Sequence, residues 1–365
     1  MITRDMAITQ LDCFRATVRH QAHEGVLAHA SYTPDLARRL REHLGIGPEG
    51  EISRALGLYT PVMVQPTSTA TVFERDFARY YTDIDIPEGS RINAMGTLCI
   101  PAGFYHFDSM VSPLRNAASL DEIRDFPYPV HHGNDEPRMA ADVADAHAQG
   151  RVVAGMIGHI FENAWQIRGL EPFLMDMIAA PENCEHIFGR LHEYQKARAL
   201  AEARAGVDYL HTGDDVATQQ TMMFGVDLWR RFIKPLWADI YASAKAIKPD
   251  LKVWYHSDGN IIEIIPELIE IGVDILNPIQ PECLDPFTVG QRWGDRVVLD
   301  GCIGTQSVMP FGTADEVRDT VRRLVDGLGG TGGLMLAPTH VLEPDVPIEN
   351  VIAYAEAARE YGDVV

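Results

Sequence analysis

The segment VWYHSDGN, residues 253–260, ends an apolar, β-branched and aromatic run in a histidine and an aspartate two positions apart, His256 and Asp258. At the end of an extended strand, side chains i and i+2 leave on the same face, so this imidazole and carboxylate can converge. A second imidazole, His340, closes another apolar run, LMLAPTH. Two imidazoles and one carboxylate can hold a divalent metal, with a position left open for substrate or water. The competing structural role is a helix start, with Ser257 or Asp258 capping the periodic segment IIEIIPELIEIG.

Other strand ends carry similar groups. HTGDDVATQQ places His211, Asp214 and Asp215 after a short apolar run. One aspartate can cap the next segment, which leaves the other for general acid–base work or for a cationic or hydroxylated substrate. HIFENAWQIRG offers His159, Glu162 and Arg168 as substrate contacts, although Phe161 and Trp165 fit an amphipathic helix and Arg168 could pair structurally with Glu162 or Glu171. NPIQPECLD adds Gln280 as a polar contact, and Cys283 and Cys302 are either soft ligands or small buried residues.

These groups share a position because of the elements that carry them. From residue 151 onward, short apolar runs alternate with longer amphipathic ones: RVVAGMIG, VDYLHTGDD, KVWYHSDG, VDILNPIQ, RVVLDGCIG and GLMLAPTH each precede a helical pattern. A run of strand–helix units demands a parallel sheet, since each crossover helix returns the chain to the same end. Near-continuous apolar strands say that both faces are covered. A closed barrel brings all the strand ends into one ring, whereas an open sheet would strand the outer ones. The expected fold is therefore α/β, a (β/α)8 TIM barrel, one domain over residues 1–365. Its clear repeats span 151–365, and residues 1–150 form an N-terminal part with an extension and an insertion over the barrel mouth. GVLAHASY (25–32) and INAMGTLCI (92–100) are the candidates for the two remaining strands. The Pro- and Gly-containing stretch 100–133 reads as the lid.

Composition narrows the function classes. There are 31 basic and 52 acidic residues, a formal charge of −21, which argues against nucleic acid or an anionic membrane as partner. Five scattered cysteines with no CxxC pair form neither a disulfide framework nor a zinc-finger spacing, and fit a reducing cytoplasm. The start MITRDMAITQ lacks the basic and apolar regions of a signal peptide, and no window is long and apolar enough to span a membrane. LGIGPEGEIS and GLGGTGGLML do not give strand, glycine-rich loop and helix in that order, and no GxSxG elbow is present, so nucleotide-loop and serine-hydrolase chemistry are disfavoured.

Taken together, VWYHSDGNI with PELIEIGVDILNPIQ after it, the segment GCIGTQ with PFGTADEV, and the closing GGLMLAPTHVLEPDVPIENVIAYAEAAREYG resemble the uroporphyrinogen decarboxylase superfamily, which includes cobalamin-dependent methyltransferases. The resemblance implies a (β/α)8 barrel, an enzyme acting on a small molecule, and a homodimer. Two departures separate the chain from true porphyrinogen decarboxylases. LAHASYTPD stands where the carboxylate-binding arginines would be, and Asn93 is the nearest candidate for the pyrrole-binding aspartate. In the methyltransferase branch a His-x-Cys pair and a later Cys hold zinc; here His256-Ser-Asp258 and His340 stand at those places, a harder donor set. The resemblance thus implies a metal on His256, Asp258 and His340, proton handling by Asp214, Asp215 and His211, and a methyl group delivered on cobalamin by a corrinoid protein. The alternatives are a decarboxylase of a small carboxylated substrate, or a non-catalytic corrinoid- or ligand-binding protein.

Overall fold

A computed structural model of the chain describes residues 8–23, 25–66, 77–102, 108–131, 133 and 135–362. Part of the expected lid, including residues 103–107, lies outside the described residues. The strands are β1 (Leu27–Ala28), β2 (Val62–Val64), β3 (Arg91–Ile92), β4 (Leu98–Pro101), β5 (Asp108–Val111), β6 (Val153–His159), β7 (Tyr209–Gly213), β8 (Lys252–His256), β9 (Ile275–Ile279), β10 (Val298–Ile303) and β11 (Leu334–Pro338).

Eight of them form one curled sheet in the order β1-β11-β10-β9-β8-β7-β6-β2, and every pairing is parallel. All six strands expected after residue 151 are present and adjacent in chain order, as their crossover helices require. The first strand in sequence lies beside the last, yet β1 and β2 share no ladder. One backbone bond, from the Tyr59 N–H to the Ala28 carbonyl at 2.7 Å, reaches across that seam. The strand pairing thus stops short of a closed ring.

One expected strand lies elsewhere. Residues 25–32 do contain β1, but 92–100 belongs to a separate antiparallel sheet of β3, β4 and β5, and the second N-terminal strand of the large sheet is the short VMV run of β2. The alternation in INAMGTLCI is that of a hairpin: Asn93 Oδ1 accepts the N–H groups of Met95 and Thr97 and closes the turn between β3 and β4. This small sheet docks on the helix Phe161–Arg168, where Thr97 Oγ1 donates to the Gln166 carbonyl and the Leu114 N–H to that of Ile167.

The two faces of the large sheet are packed differently. Val153, Leu210, Val253, Tyr255, Leu276, Leu299 and Leu336 face the surrounding helices in the main core. On the other face Leu27, Ala154, Tyr209, Trp254, Ile275, Val298 and Met335 gather with Leu11, Cys13, Phe14 and Val18 from and beside the helix Gln10–Thr17. Because side chains alternate along a strand, the next residue on that same face is two further on. In order these are His29, Met156, His211, His256, Asn277, Asp300 and Ala337. An apolar floor is followed by a layer that holds three histidines, one amide and one carboxylate.

Helix starts follow local chemistry where it exists. Thr313 and Glu316 form a reciprocal capping box at Ala314–Leu328, and Pro235 lies in the first turn of Lys234–Ile247, so it starts that helix. The glycine cluster after Leu328 ends its helix in a short turn, with Gly332 at φ +72°. Among the described residues no helix is long and apolar enough to cross a membrane.

Candidate metal and acid–base site

The helix expected right after His256 and Asp258 begins only at Ile265, so neither Ser257 nor Asp258 caps it. Asp258 belongs to a turn after β8 instead. There its own N–H donates to Asp215 Oδ1 at 2.8 Å, and the Gly259 N–H donates to Gln280 Oε1 at 3.2 Å. Gly259 has φ +87°, and a Cβ there would run into the backbone of Ala217 and Thr218. That tight passage holds Asp258 against the end of β7.

Asp215, His256 and Asp258 each offer one ligand atom, and these lie within 4.8 Å of one another. His256 Nε2 is 3.8 Å from Asp215 Oδ1 and 3.9 Å from Asp258 Oδ1. His340 Nε2 approaches the other Asp258 oxygen at 4.0 Å, from a half-exposed position just past β11. Of the expected set, His256 and Asp258 are brought together and Asp215 joins them, while His340 stands at the edge, near Asp258. Burial raises the Asp258 carboxyl above its usual range, and the nearby His256 pulls the other way.

On its far side, His256 Nδ1 is 2.8 Å from Asn277 Oδ1. The Asn277 amide donates to Asp300 Oδ2 at 3.0 Å, and the same oxygen accepts the Trp254 Nε1–H at 2.7 Å. His29 Nε2 donates to Asp300 Oδ1 at 2.8 Å. Burial works against the Asp300 charge, but His29 and the other donors outweigh it and hold the carboxyl below its usual range. Burial likewise disfavours a charged His29, and Asp300 outweighs it, so the His29 pKa rises. Sequence reasoning missed His29, Asn277 and Asp300. Their signal is a polar residue two positions beyond an apolar one on an otherwise apolar strand.

Asp214, next to Asp215, is fully buried and differently used. Its Oδ1 accepts the N–H groups of Ile160, Phe161 and Glu162 at 2.8, 2.7 and 3.2 Å, and its Oδ2 accepts Trp237 Nε1–H at 2.8 Å. The helix Phe161–Arg168 has Ile160 at its N-cap and no side-chain cap of its own, so a carboxylate from the next strand satisfies its first turn. Burial pushes the Asp214 carboxyl up to about 7. Beside it, His159 Nδ1 is 2.6 Å from Glu162 Oε2 and also donates to the Gly213 carbonyl at 2.9 Å. Burial alone would lower the His159 pKa; the Glu162 carboxylate outweighs it and lifts it to about 9. Burial opposes the Glu162 charge too, yet His159 holds that carboxyl below its usual range, and Glu162 accepts the Asp215 N–H at 3.3 Å.

His211 lies flat on Trp254, ring centroids 3.8 Å apart, and burial together with the neighbouring His256 lowers its pKa to about 3, so it is a neutral imidazole. Arg168 pairs with neither Glu162 nor Glu171. It is buried, with Nε on Asp176 at 2.8 Å and Nη1 on the Leu114 carbonyl at 2.7 Å, and it latches the small sheet to its helix. Burial raises the Cys283 thiol to about 11 and the Cys302 thiol further, so both stay protonated, and neither joins the cluster.

Residues 111–361 match the family model described as uroporphyrinogen decarboxylase (URO-D). A zebrafish (Danio rerio) uroporphyrinogen decarboxylase is 25% identical over 190 residues, 50% of this chain and 48% of that protein; the match thus spans about half the length of that relative. A methyltransferase from Methanosarcina mazei shares the fold, with a TM-score of 0.65 over 97% of this chain and 99% of that one, at 18% identity.

Proposed function

Because the chain belongs to the uroporphyrinogen decarboxylase family, we propose that it is a metal-dependent enzyme that moves a methyl group from a corrinoid protein to a small acceptor carrying a thiol or hydroxyl. One observation carries this reading: Asp215, His256 and Asp258 converge on one point with His340 at its edge, and the far nitrogen of His256 is already engaged by Asn277. Metal-binding histidines are commonly fixed in that way. Two carboxylates and one or two imidazoles fit zinc or another borderline divalent ion, whereas the protonated cysteines do not contribute. When bound, such an ion supplies Lewis acidity that lowers the pKa of the acceptor group.

The remaining tasks fall to the chain. Neutral His211 on its Trp254 platform and Gln280 at the base of the Gly259 turn line the approach. His29 stands in LAHASYTPD, where porphyrinogen decarboxylases place guanidinium groups, and its ring is taken up by Asp300. The acceptor is therefore not a polycarboxylate. A decarboxylase reading draws on one feature, the His159 imidazolium, which could hold a substrate carboxylate.

Elemental analysis of protein purified without chelator should find a stoichiometric divalent metal that His256→Ala loses. Absence of bound metal, together with zinc uptake unchanged in His256→Ala, would sink the metal reading. Release of CO2 from a carboxylated ring by the chelated protein would favour decarboxylation instead.

A further inference from the structure

The groups behind His256 form a chain in which each donor or acceptor role is forced by the next. An ionised carboxylate can only accept hydrogen bonds. Asp300 receives Trp254 Nε1–H, His29 Nε2–H and one end of the Asn277 amide, and that end must therefore be the NH2 group. The Asn277 oxygen is left facing His256 Nδ1 at 2.8 Å, and an amide oxygen also only accepts. His256 must then carry a proton on Nδ1, and in the neutral ring this leaves the lone pair on Nε2, the nitrogen nearest Asp215 and Asp258.

We propose that Asp300 is a positioning residue that sets the tautomer of His256 from two residues away, by fixing which way round the Asn277 amide sits. His29 and Trp254 hold Asp300 in turn, and Tyr354 anchors the His29 backbone by donating to its carbonyl at 2.9 Å. The metal half of this inference rests on the function proposed above; the tautomer half does not. An amide at position 300 removes the directionality, because it can donate to Asn277. The Asn277 amide is then able to reverse and present its NH2 to His256, moving the ring proton to Nε2, where it blocks a metal.

The test uses the full-length protein labelled with 15N-histidine, metal-free at pH 8. Two-bond 15N–1H correlation spectra distinguish the tautomers, and the His256 signals are identified by their loss in His256→Gln. The wild type should show His256 protonated on Nδ1, Asp300→Asn should move it toward Nε2–H, and Co2+ affinity monitored by visible absorption should fall about 10- to 100-fold in that variant. A wild-type His256 protonated on Nε2 overturns the inference without need of any variant, so a poorly folding Asp300→Asn does not leave it open. Equal Co2+ affinity and an unchanged tautomer in Asp300→Asn also overturn it, while leaving the metal reading intact. A tautomer that shifts as described in a protein that never takes up Co2+ supports the positioning role and defeats the metal reading.

Discussion

Asp214 and Asp215 are neighbours in sequence and have opposite surroundings. Asp214 points back beneath the helix Phe161–Arg168 and collects four N–H donors, one of them from Trp237. Asp215 points out to the mouth, is about a third exposed, and has one backbone donor on the oxygen that faces His256. Alternation along an extended backbone separates the two carboxylates onto different sides. One is consumed by the fold and the other is left to chemistry. The same residue type, one position apart, thus serves as a tertiary helix cap and as a candidate ligand.

Substitution should pull the two apart. Asp214→Ala leaves four buried N–H groups without an acceptor and should cost on the order of 4 kcal/mol in urea denaturation, at the upper end for a single substitution. Asp215→Ala should cost about 1 kcal/mol or less, as expected for a partly exposed carboxylate, and should lower metal affinity by at least about 100-fold. Equal stability losses for the two would show that the assignment of roles is wrong.

Glu202 extends the comparison to a carboxylate that meets no donor among the described residues. It is fully buried on the helix Pro181–Ala205 and packs against Gly155, where a Cβ would collide with its carboxylate; neither oxygen has a hydrogen-bond partner among the described residues. Burial raises its pKa from 4.5 to about 8. An acid with a raised pKa in the folded state keeps its full stability below the unfolded value. It loses stability as pH rises from about 4.5 to about 8, where the unfolded chain has released a proton that the folded chain retains. Glu202→Gln removes this dependence. It should match the wild type at pH 4 and exceed it by on the order of 2–3 kcal/mol at pH 7, measured by denaturation across the pH series. A constant gap between the two proteins would mean that the Glu202 carboxyl titrates alike in the folded and unfolded chains.

Legibility in the sequence depended on distance along the chain. The six strands after residue 151 announce themselves by short apolar runs, and His159, His256, Gln280 and His340 lie at or just past a strand end, whereas His211 lies within β7 and Cys302 within β10. β2 does not stand out because VMV is three residues long, while the hairpin at 91–101 carries the same alternation. The capping role of Asp214 has no local signal, since its partners Ile160–Glu162 lie more than fifty positions away. The apparent cap role of Asp258 is the reverse error. A polar residue before a periodic segment reads as a helix start, but the chain spends residues 257–264 in turns before the helix Ile265–Glu270. The layer of His29, Asn277 and Asp300 is fixed by simple alternation once the floor residues are known, and the floor is a property of the sheet.

His340 sharpens the comparison at its margin. Its side chain is 43% exposed and its Nε2 lies 4.0 Å from Asp258 Oδ2, whereas the less exposed His256 lies 3.9 Å from the other oxygen, Oδ1. A ligand held on one side by solvent loses part of its contribution to side-chain entropy, and water can take its place in the coordination sphere of a hydrolytic or transfer-type metal site. His340→Ala should therefore weaken Co2+ binding by about 10-fold, well short of the Asp215→Ala loss, and leave denaturation midpoints unchanged, as surface substitutions usually do. The visible spectrum of bound Co2+ separates the two ways this can come out. A change of band intensity together with weaker binding makes His340 a ligand that the mouth can exchange for substrate. An unaltered spectrum and affinity would confine the site to Asp215, His256 and Asp258, with His340 acting on the substrate side of Asp258.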